Sequence, residues 1–409
     1  ANNYNEYNQS MARNAAEDSA RGAYSQMEQI GNQILSPNFQ NNKVMENLEE
    51  TPFTAGIIYP HKTGLLNVGQ SCYMNATIEC LSNIKQLSNY LLNKYGTFDV
   101  QKQPLCTSYS SLLFDLLHTN ERYIQPKLFK EILGKLNPLF EGNYTVDAKD
   151  LIYFLIETLH NELLPPSKND NDIFDLLEEE NNALNEQIMF KNFLNELRSN
   201  LTIVSNLFNG IKRLIIRCNG CNITKYSFQS FNLMIFSLKK IKEYKMRQYG
   251  VGGWPHNNLN IYDAFLYEQE EEKLEGDNMI YCKNCKKLIP CTHKKEIYSM
   301  PQILIIVLDR GKNNKYFNGE FIFDEILDFS NINIILNQNS YKSFYLCGII
   351  KLLGGNYIAY CRNNFNDNFI CYNDASVSQV SVIDAMTTKI SMNENERKTP
   401  YILFYHYIN

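Results

Sequence analysis

Three observations predict an α+β fold for this 409-residue chain. Between Cys72 and Leu159, apolar residues recur at steps of three or four, the spacing of one helix face. From Leu214 onward, short runs of β-branched and aromatic residues alternate with turn residues, as in an antiparallel sheet. Two Cys-x-x-Cys pairs interrupt that strand region. Helices first and strands later, rather than in alternation, is the order of an α+β domain.

Residues 1–60 are polar and rich in Asn, Gln, Ser and Glu, with only a weakly amphipathic stretch at Ala12–Leu35, so they read as a flexible polar leader. The folded domain is expected over 61–409. Its first helix begins at Cys72, with Met74, Ile78, Leu81, Ile84, Leu87 and Leu91 on one face and Ser71 as the N-cap. Tyr109–Leu117 and Pro126–Leu136 read as further helices. Asp147 and Asp150 open the next in a capping arrangement, followed by the apolar stripe Ala148, Leu151, Leu155 and Leu159. His160 falls near its end, where a positive imidazole suits the helix dipole. Residues 164–200 are acidic and Asn-rich and read as an exposed linker or loosely packed helix.

Strands are expected at Leu214–Arg217, Thr224–Phe228, Phe231–Leu238, Ile303–Leu308, Phe321–Phe323, Phe344–Ile350, Tyr357–Cys361, Phe369–Tyr372 and Tyr401–Tyr407. Between Lys239 and Asp277 lies an insertion containing Gly250–Pro255 and the acidic run Glu268–Glu272, read as a solvated helix face.

Charge and cysteine content narrow the function classes. With 39 basic and 44 acidic residues the net charge is −5, which points to no nucleic-acid or membrane partner. No apolar run is long enough to span a bilayer and no export signal is present. Eleven cysteines then read as reduced thiols, metal ligands or catalysts, in cytoplasm or nucleus. Oligomeric state has no signature here.

The stretch Thr63–Cys80 carries the candidate chemistry. A thiol at the first position of a helix faces unpaired backbone N–H groups and the positive dipole end, and both favour the thiolate, which is the nucleophile. Asn67, on the preceding loop, is placed to aim its amide at an oxyanion forming over Cys72. Taken alone, the stretch also fits a small apolar Cys packed at a helix start. Cys80, further along, reads as packing.

Cys218-Asn219-Gly220-Cys221 and Cys282-Lys283-Asn284-Cys285 are two knuckles bracketed by strand. Four thiolates from two such turns suit a tetrahedral structural Zn²⁺, and the long separation adds closure entropy only logarithmically. Cys291 and His293 read as bystanders.

In combination these landmarks resemble the ubiquitin-specific proteases, a family of papain-like cysteine isopeptidases. Gly64–Ala76 is similar to the family's Cys box, and Asp147–Leu151 to its second helical signature. The two Cys pairs resemble its zinc-bearing fingers, Met300–Arg310 the strand after them, and Pro400–Tyr405 the closing strand. The resemblance implies a hand-shaped fold: a helical thumb over about 63–200, fingers over about 214–300, and an antiparallel palm over about 201–213 and 301–409. It implies ubiquitin and ubiquitinated proteins as partners, and hydrolysis of ubiquitin–lysine isopeptide bonds by Cys72.

One motif departs from the family. The box expected as Gly-His-Tyr followed by Ala-Tyr reads Gly355-Asn356-Tyr357-Ile358-Ala359-Tyr360 here. Asn356 thus stands where the resemblance puts the general base, Asn373 stands at the orienting position, and Asp374 follows it. An amide cannot accept the thiol proton, and positioned acid–base catalysis is worth about 10²–10⁴-fold. A weak hydrolase, or a catalytically silent ubiquitin-binding protein, is therefore expected. The remaining histidines, His61, His118, His256, His293 and His406 among them, lack the box's flanking pattern and read as surface or packing residues.

Overall fold

The computed structural model describes residues 51–165, 182–249, 258–311, 317, 319–332, 334–337, 340–389 and 397–408. Most of the expected leader, with Ala12–Leu35, lies outside them, as do Gly250–Pro255, His256 and residues 166–181.

The helical layer comes first. A two-residue parallel pair, β1 (Gly64–Leu65) and β2 (Tyr123–Ile124), ties down its loops. The helices are α1 (Cys72–Ser82), α2 (Lys85–Asn93), α3 (Pro104–His118), α4 (Lys127–Leu136) and α5 (Ala148–Leu163). All 11 residues of α1 are buried, because it runs between the other helices and the sheet. The N-terminus of α3 is closed from outside: the Glu162 carboxylate accepts the N–H groups of Leu105 and Cys106 at 3.0 and 2.8 Å. Asp147 caps α5 by accepting the Lys149 N–H at 2.9 Å. The expected reciprocal box with Asp150 does not form, and the Asp147 carboxylate instead takes the Tyr401 hydroxyl at 2.7 Å.

Residues 51–60, expected as the end of the leader, pack onto this layer. Thr51 Oγ1 donates to Asn93 Oδ1 at 2.6 Å, Tyr59 OH to Asn89 Oδ1 at 2.9 Å, and Phe53 meets Tyr95 and Phe114 edge-on. These aromatic rings find partners only in tertiary contact, so polar composition concealed them.

After α5 come α6 (Asn182–Ser199) and α7 (Ile203–Phe208). The stretch expected as an exposed linker or loosely packed helix is, over its second part, the helix α6, whose Phe190 and Leu194 are buried against Phe228 and Tyr298. Glu186 on it pairs with Arg213 at 2.5 Å.

The finger strands are β3 (Gly210–Cys218) and β4 (Thr224–Phe231), followed by β5 (Met234–Ser237), α8 (Leu238–Tyr249), β6 (Leu259–Asn260) and α9 (Ile261–Glu268). Then come β7 (Glu272–Leu274), β8 (Ile280–Cys282), β9 (Lys287–Ile289) and β10 (Cys291–Ser299). Strands β4-β3-β10-β7 form one sheet, and β8-β9 a hairpin at its end. The acidic run is not a helix face: α9 ends at Glu268 and β7 begins at Glu272. Glu268 pairs with Lys212 at 2.6 Å, and Glu270 with Arg247 at 2.8 Å.

The central sheet uses β11 (Ile303–Asp309), β12 (Phe321–Ile322), β13 (Ile326–Asp328), β14 (Ser343–Leu353), β15 (Asn356–Cys361), β16 (Phe369–Asn373), β17 (Ser376–Val380) and, after the short helix α10 (Val382–Met386), β18 (Lys398–Tyr407). Its order is β17-β16-β15-β14-β18-β11-β5, with β13 on β14, while β12 pairs with β6. The sheet is antiparallel as expected except at its edge, where β5 lies parallel to β11. The chain between them, residues 238–302, carries α8, α9 and the second half of the fingers, and a long crossover is what parallel pairing requires.

Strand alternation sorts the sheet into two cores. Ile303, Ile305 and Val307 face the helical layer, whereas Leu304, Ile306 and Leu308 face a second layer holding α8, α9, the 320–329 stretch and α10. The β14–β15 hairpin turns on Gly354 and Gly355, with φ of 56° and 87°, the two positive values that a tight two-residue hairpin requires.

Candidate active site and metal centre

Cys72 is the first residue of α1, as expected, but Ser71 caps it in name only. Its side chain makes no cap bond, and its Oγ accepts the Val68 N–H at 2.9 Å. Asn67 Oδ1 accepts from Gly69 N at 3.2 Å and Ser71 N at 3.1 Å, which fixes the loop before the thiol. The other end of that amide is engaged as well: Asn67 Nδ2 donates to Asp374 Oδ2 at 3.0 Å.

Asp374 gathers the site from across the fold. It sits in the two-residue turn between β16 and β17 at φ 51°, a left-handed conformation that Asp tolerates better than most residues. Its Oδ1 accepts Asn75 Nδ2 at 2.7 Å, and its carbonyl accepts the Leu65 N–H at 3.1 Å. A Cβ on Gly64 would stand 2.6 Å from that carbonyl, so only glycine admits the approach. Asn75 was not singled out from the sequence, although a polar residue on an apolar helix face, three positions after the thiol, was a usable signal.

Cys72 is 2% exposed, and burial pushes its thiol pKa above the ordinary range. The Asp374 charge pushes the same way. The Tyr357 N–H and the helix-start N–H groups of Cys72 and Tyr73 oppose them without prevailing. The expected dipole effect is present but outweighed, because desolvation of a thiolate in a packed interior is the larger effect.

Asn356 opens β15, exposed, immediately before the Tyr357 whose N–H reaches the sulfur. Asn373 closes β16, also exposed. Ala359 pairs with Tyr372 and Tyr360 with Cys371. Continuing that register puts Ile358 opposite Asn373, so Asn356 and Asn373 fall diagonally on one face. Among the described residues, the Asn356 side chain has no hydrogen-bond partner.

The described histidines are accounted for by packing. His61 is buried, with Nε2 at 2.9 Å from Ser82 Oγ and 3.1 Å from Glu79 Oε2, so it has the partner that the sequence did not show. That contact lies seven residues along α1 from Cys72, about 10 Å at the helical rise of 1.5 Å per residue, out of proton-transfer range. His160 bonds Thr202 Oγ1 at 2.8 Å, and burial lowers its pKa, which corrects the expected positive charge. His406 Nε2 lies 2.9 Å from Gln86 Nε2, and burial lowers its pKa too. His118 stacks on Phe114 and His293 faces Glu272.

Cys218, Cys221, Cys282 and Cys285 converge with all four Sγ atoms within 4.8 Å of one another. Cys218–Cys285 and Cys221–Cys282 are 3.8 and 3.6 Å apart. A tetrahedral Zn²⁺ with Zn–S bonds of about 2.3 Å requires sulfurs about 3.8 Å apart. The donor set and its spacing therefore fit that ion. Asn222 and Lys286, each just after a second knuckle cysteine, are left-handed at φ 57° and 53°. The Cys285 N–H points at Cys282 Sγ at 3.5 Å. Cys291 is buried beside the cluster but outside the group of four.

The hand-shaped fold expected from the sequence is the one observed, and comparison with known proteins gives the same class. The family model described as ubiquitin carboxyl-terminal hydrolase matches residues 63–405, and the chain belongs to that family. It is similar to ubiquitin carboxyl-terminal hydrolase 4 of the yeast Vanderwaltozyma polyspora, 27% identical over 388 residues, covering 84% of this chain and 41% of the relative. Ubiquitin carboxyl-terminal hydrolase 2 of Homo sapiens is 23% identical over 359 residues, covering 84% and 54%. The chain thus spans about half or less of the curated relatives it matches. No described helix is long and apolar enough to cross a membrane.

Proposed function

We propose that this chain recognises the C-terminal tail of ubiquitin and hydrolyses ubiquitin–lysine isopeptide bonds slowly, through Cys72. Family membership supports the substrate. The slow rate rests on the resemblance, which aligns an amide, Asn356, with the general base, and on Asn356 immediately preceding the Tyr357 whose N–H reaches the sulfur. Cys72 attacks the terminal glycine carbonyl, and Asn67, held by Asp374, faces the developing oxyanion. Asn356 and Asn373 occupy the base and orienter positions. With the thiol buried and its pKa raised, thiolate is scarce at neutral pH, and none of the described histidines stands beside it to take the proton. Slow turnover follows.

Labelling with ubiquitin carrying a C-terminal electrophile, alongside hydrolysis of a fluorogenic ubiquitin amide, tests this. Labelling is expected at Cys72 and is lost in Cys72→Ala. Asn356→His is expected to raise amide hydrolysis by 10²–10⁴-fold. Wild-type hydrolysis at the rate of the Asn356→His variant would overturn the reading.

The second reading, a catalytically silent ubiquitin-binding protein, is favoured by the 2% exposure of Cys72. It predicts ubiquitin affinity with neither labelling nor cleavage. Under either reading the four-cysteine cluster holds a structural Zn²⁺ that pins the ends of the fingers. Eleven unpaired cysteines suit a reducing compartment, cytoplasm or nucleus.

A further inference from the structure

The face of the central sheet turned away from α1 carries a groove that the site described above does not use. It has a volume of about 490 Å³ and runs between the extended stretch 320–325 and the helix α10 with its following turn. Alternation along the stretch is regular. Phe321, Phe323, Leu327 and Phe329 are buried in the second core, while Glu320, Ile322, Asp324, Ile326 and Asp328 face outward. The outward row therefore alternates acid and isoleucine. Across the groove, Ile383 is 77% exposed, against 45% for Ile322.

Two features set this surface apart from ordinary exposed side chains. Two well-exposed isoleucines, Ile322 and Ile383, stand on opposite walls of one groove. Among the described residues, Glu320, Asp324 and Asp328 have no ion-pair partner, whereas the adjacent Glu325 is paired with Arg362 at 2.6 Å. These carboxylates, of which Glu320 accepts the Asn258 amide at 3.3 Å and Asp328 the Ser330 N–H at 2.9 Å, are spaced by four residues along an extended chain, about 13 Å at the strand rise. The isoleucines fall between them.

From this pattern we infer a docking groove for an extended segment of a partner protein, one in which basic residues alternate with aliphatic ones. Apolar contact with Ile322, Ile383 and Met386 supplies attraction. The basic side chains meet Glu320 and Asp324 and set register, as charge complementarity does at protein interfaces. The groove and Cys72 lie on opposite faces of the sheet, so a bound segment would hold a partner without blocking the thiol site. The inference does not depend on ubiquitin being the substrate.

The test uses the full chain and two fluorescein-labelled peptides of equal composition. One repeats lysine-alanine-leucine-alanine, and the other carries its lysines in one block. Fluorescence anisotropy is expected to show saturable, salt-sensitive binding of the alternating peptide, at least tenfold tighter than the blocked one. The double variant Asp324→Lys, Ile383→Ser changes only exposed side chains, and should keep the wild-type melting temperature while weakening that binding at least tenfold. Equal binding of the two peptides, or binding that survives the double variant, would overturn the proposal. So would a concentration-dependent dimer lost in the variant, which would mean that a second copy covers the face. Binding that appears only after residues 1–50 are removed would instead assign the groove to the chain's own leader, and would overturn it too.

Discussion

Asn67 and Asp374, 307 positions apart, are joined by a 3.0 Å hydrogen bond in which the amide donates to the carboxylate. That bond gives the loop before Cys72 and the β16–β17 turn a common geometry. It also places a negative charge where it opposes thiolate formation. The same carboxylate thus orients the candidate oxyanion donor and opposes ionisation of the candidate nucleophile.

Asp374→Asn should separate the two effects. Removing the charge makes the thiolate easier to form, so the pH midpoint for alkylation of Cys72, followed by mass spectrometry of its peptide, is expected to fall. Asparagine can accept only one of the two amide donors, Asn67 and Asn75, so labelling by the ubiquitin electrophile is expected to slow by roughly tenfold, about 1.4 kcal/mol. An unchanged alkylation midpoint would mean that the charge does not act on the sulfur.

The finger cluster makes a stoichiometric prediction. One Zn²⁺ per chain is expected by elemental analysis, falling to none in Cys221→Ser, Cys285→Ser. A strong chelator should lower the melting temperature and expose the β8–β9 hairpin to protease, while α1 stays protected. Metal content that persists in the double variant would place the ion elsewhere.

His61 and Glu79 form a buried pair at the far end of the thiol helix, and burial holds the Glu79 carboxyl above its usual range. Removing one partner of such a pair typically costs about 1–3 kcal/mol, because the other is left as a buried polar group without its partner. His61→Ala is therefore expected to lower stability to urea by about that much, and His61→Ala, Glu79→Gln to recover part of the loss. The carboxyl pKa is raised on folding, so its contribution is greatest below the unfolded value of about 4.3 and is lost as pH rises through the folded value. Glu79→Gln should accordingly gain on wild type as pH rises from 4.

How much of this was legible in advance depends on the range of the interaction. The helix at Cys72, the two knuckles and the alternation in β14, β15 and β18 are local patterns, and they read correctly. The parallel placement of β5 beside β11 was not legible, because alternation within a strand says nothing about its neighbour. Asp374 was visible as a residue after Asn373, but its grip on Asn67 and Asn75 depends on a turn brought in from the far end of the chain. The thiol pKa reversed for the same reason: a helix start is a sequence feature, whereas the desolvation that outweighs it belongs to the packed interior. The docking of Phe53 and of α6 was hidden by polar composition around a few aromatic side chains.

Lys351 offers a pH test away from the thiol. It is fully buried on β14, and its Nζ donates to the carbonyls of Thr387 at 2.7 Å and Asp384 at 3.4 Å, closing the end of α10. Burial, with Lys398 adding to it, lowers its pKa to about 7, against the weaker opposing influence of Cys371 and Asp384. The unfolded chain holds this proton up to about pH 10.4, and the folded chain releases it near 7. Between those values the unfolded state binds more protons, so this group makes stability rise with pH. Buried tyrosines and cysteines, whose pKa values are raised, act in the opposite sense at the upper end, so the comparison must be with a variant that lacks only the amine. Urea denaturation of wild type and Lys351→Met at pH 7, 8 and 9 is expected to show wild type gaining on the variant by up to about 1.4 kcal/mol per pH unit. A difference that stays constant across that range would mean that Lys351 keeps its proton in the fold, and that the carbonyls of α10 are capped by a cation.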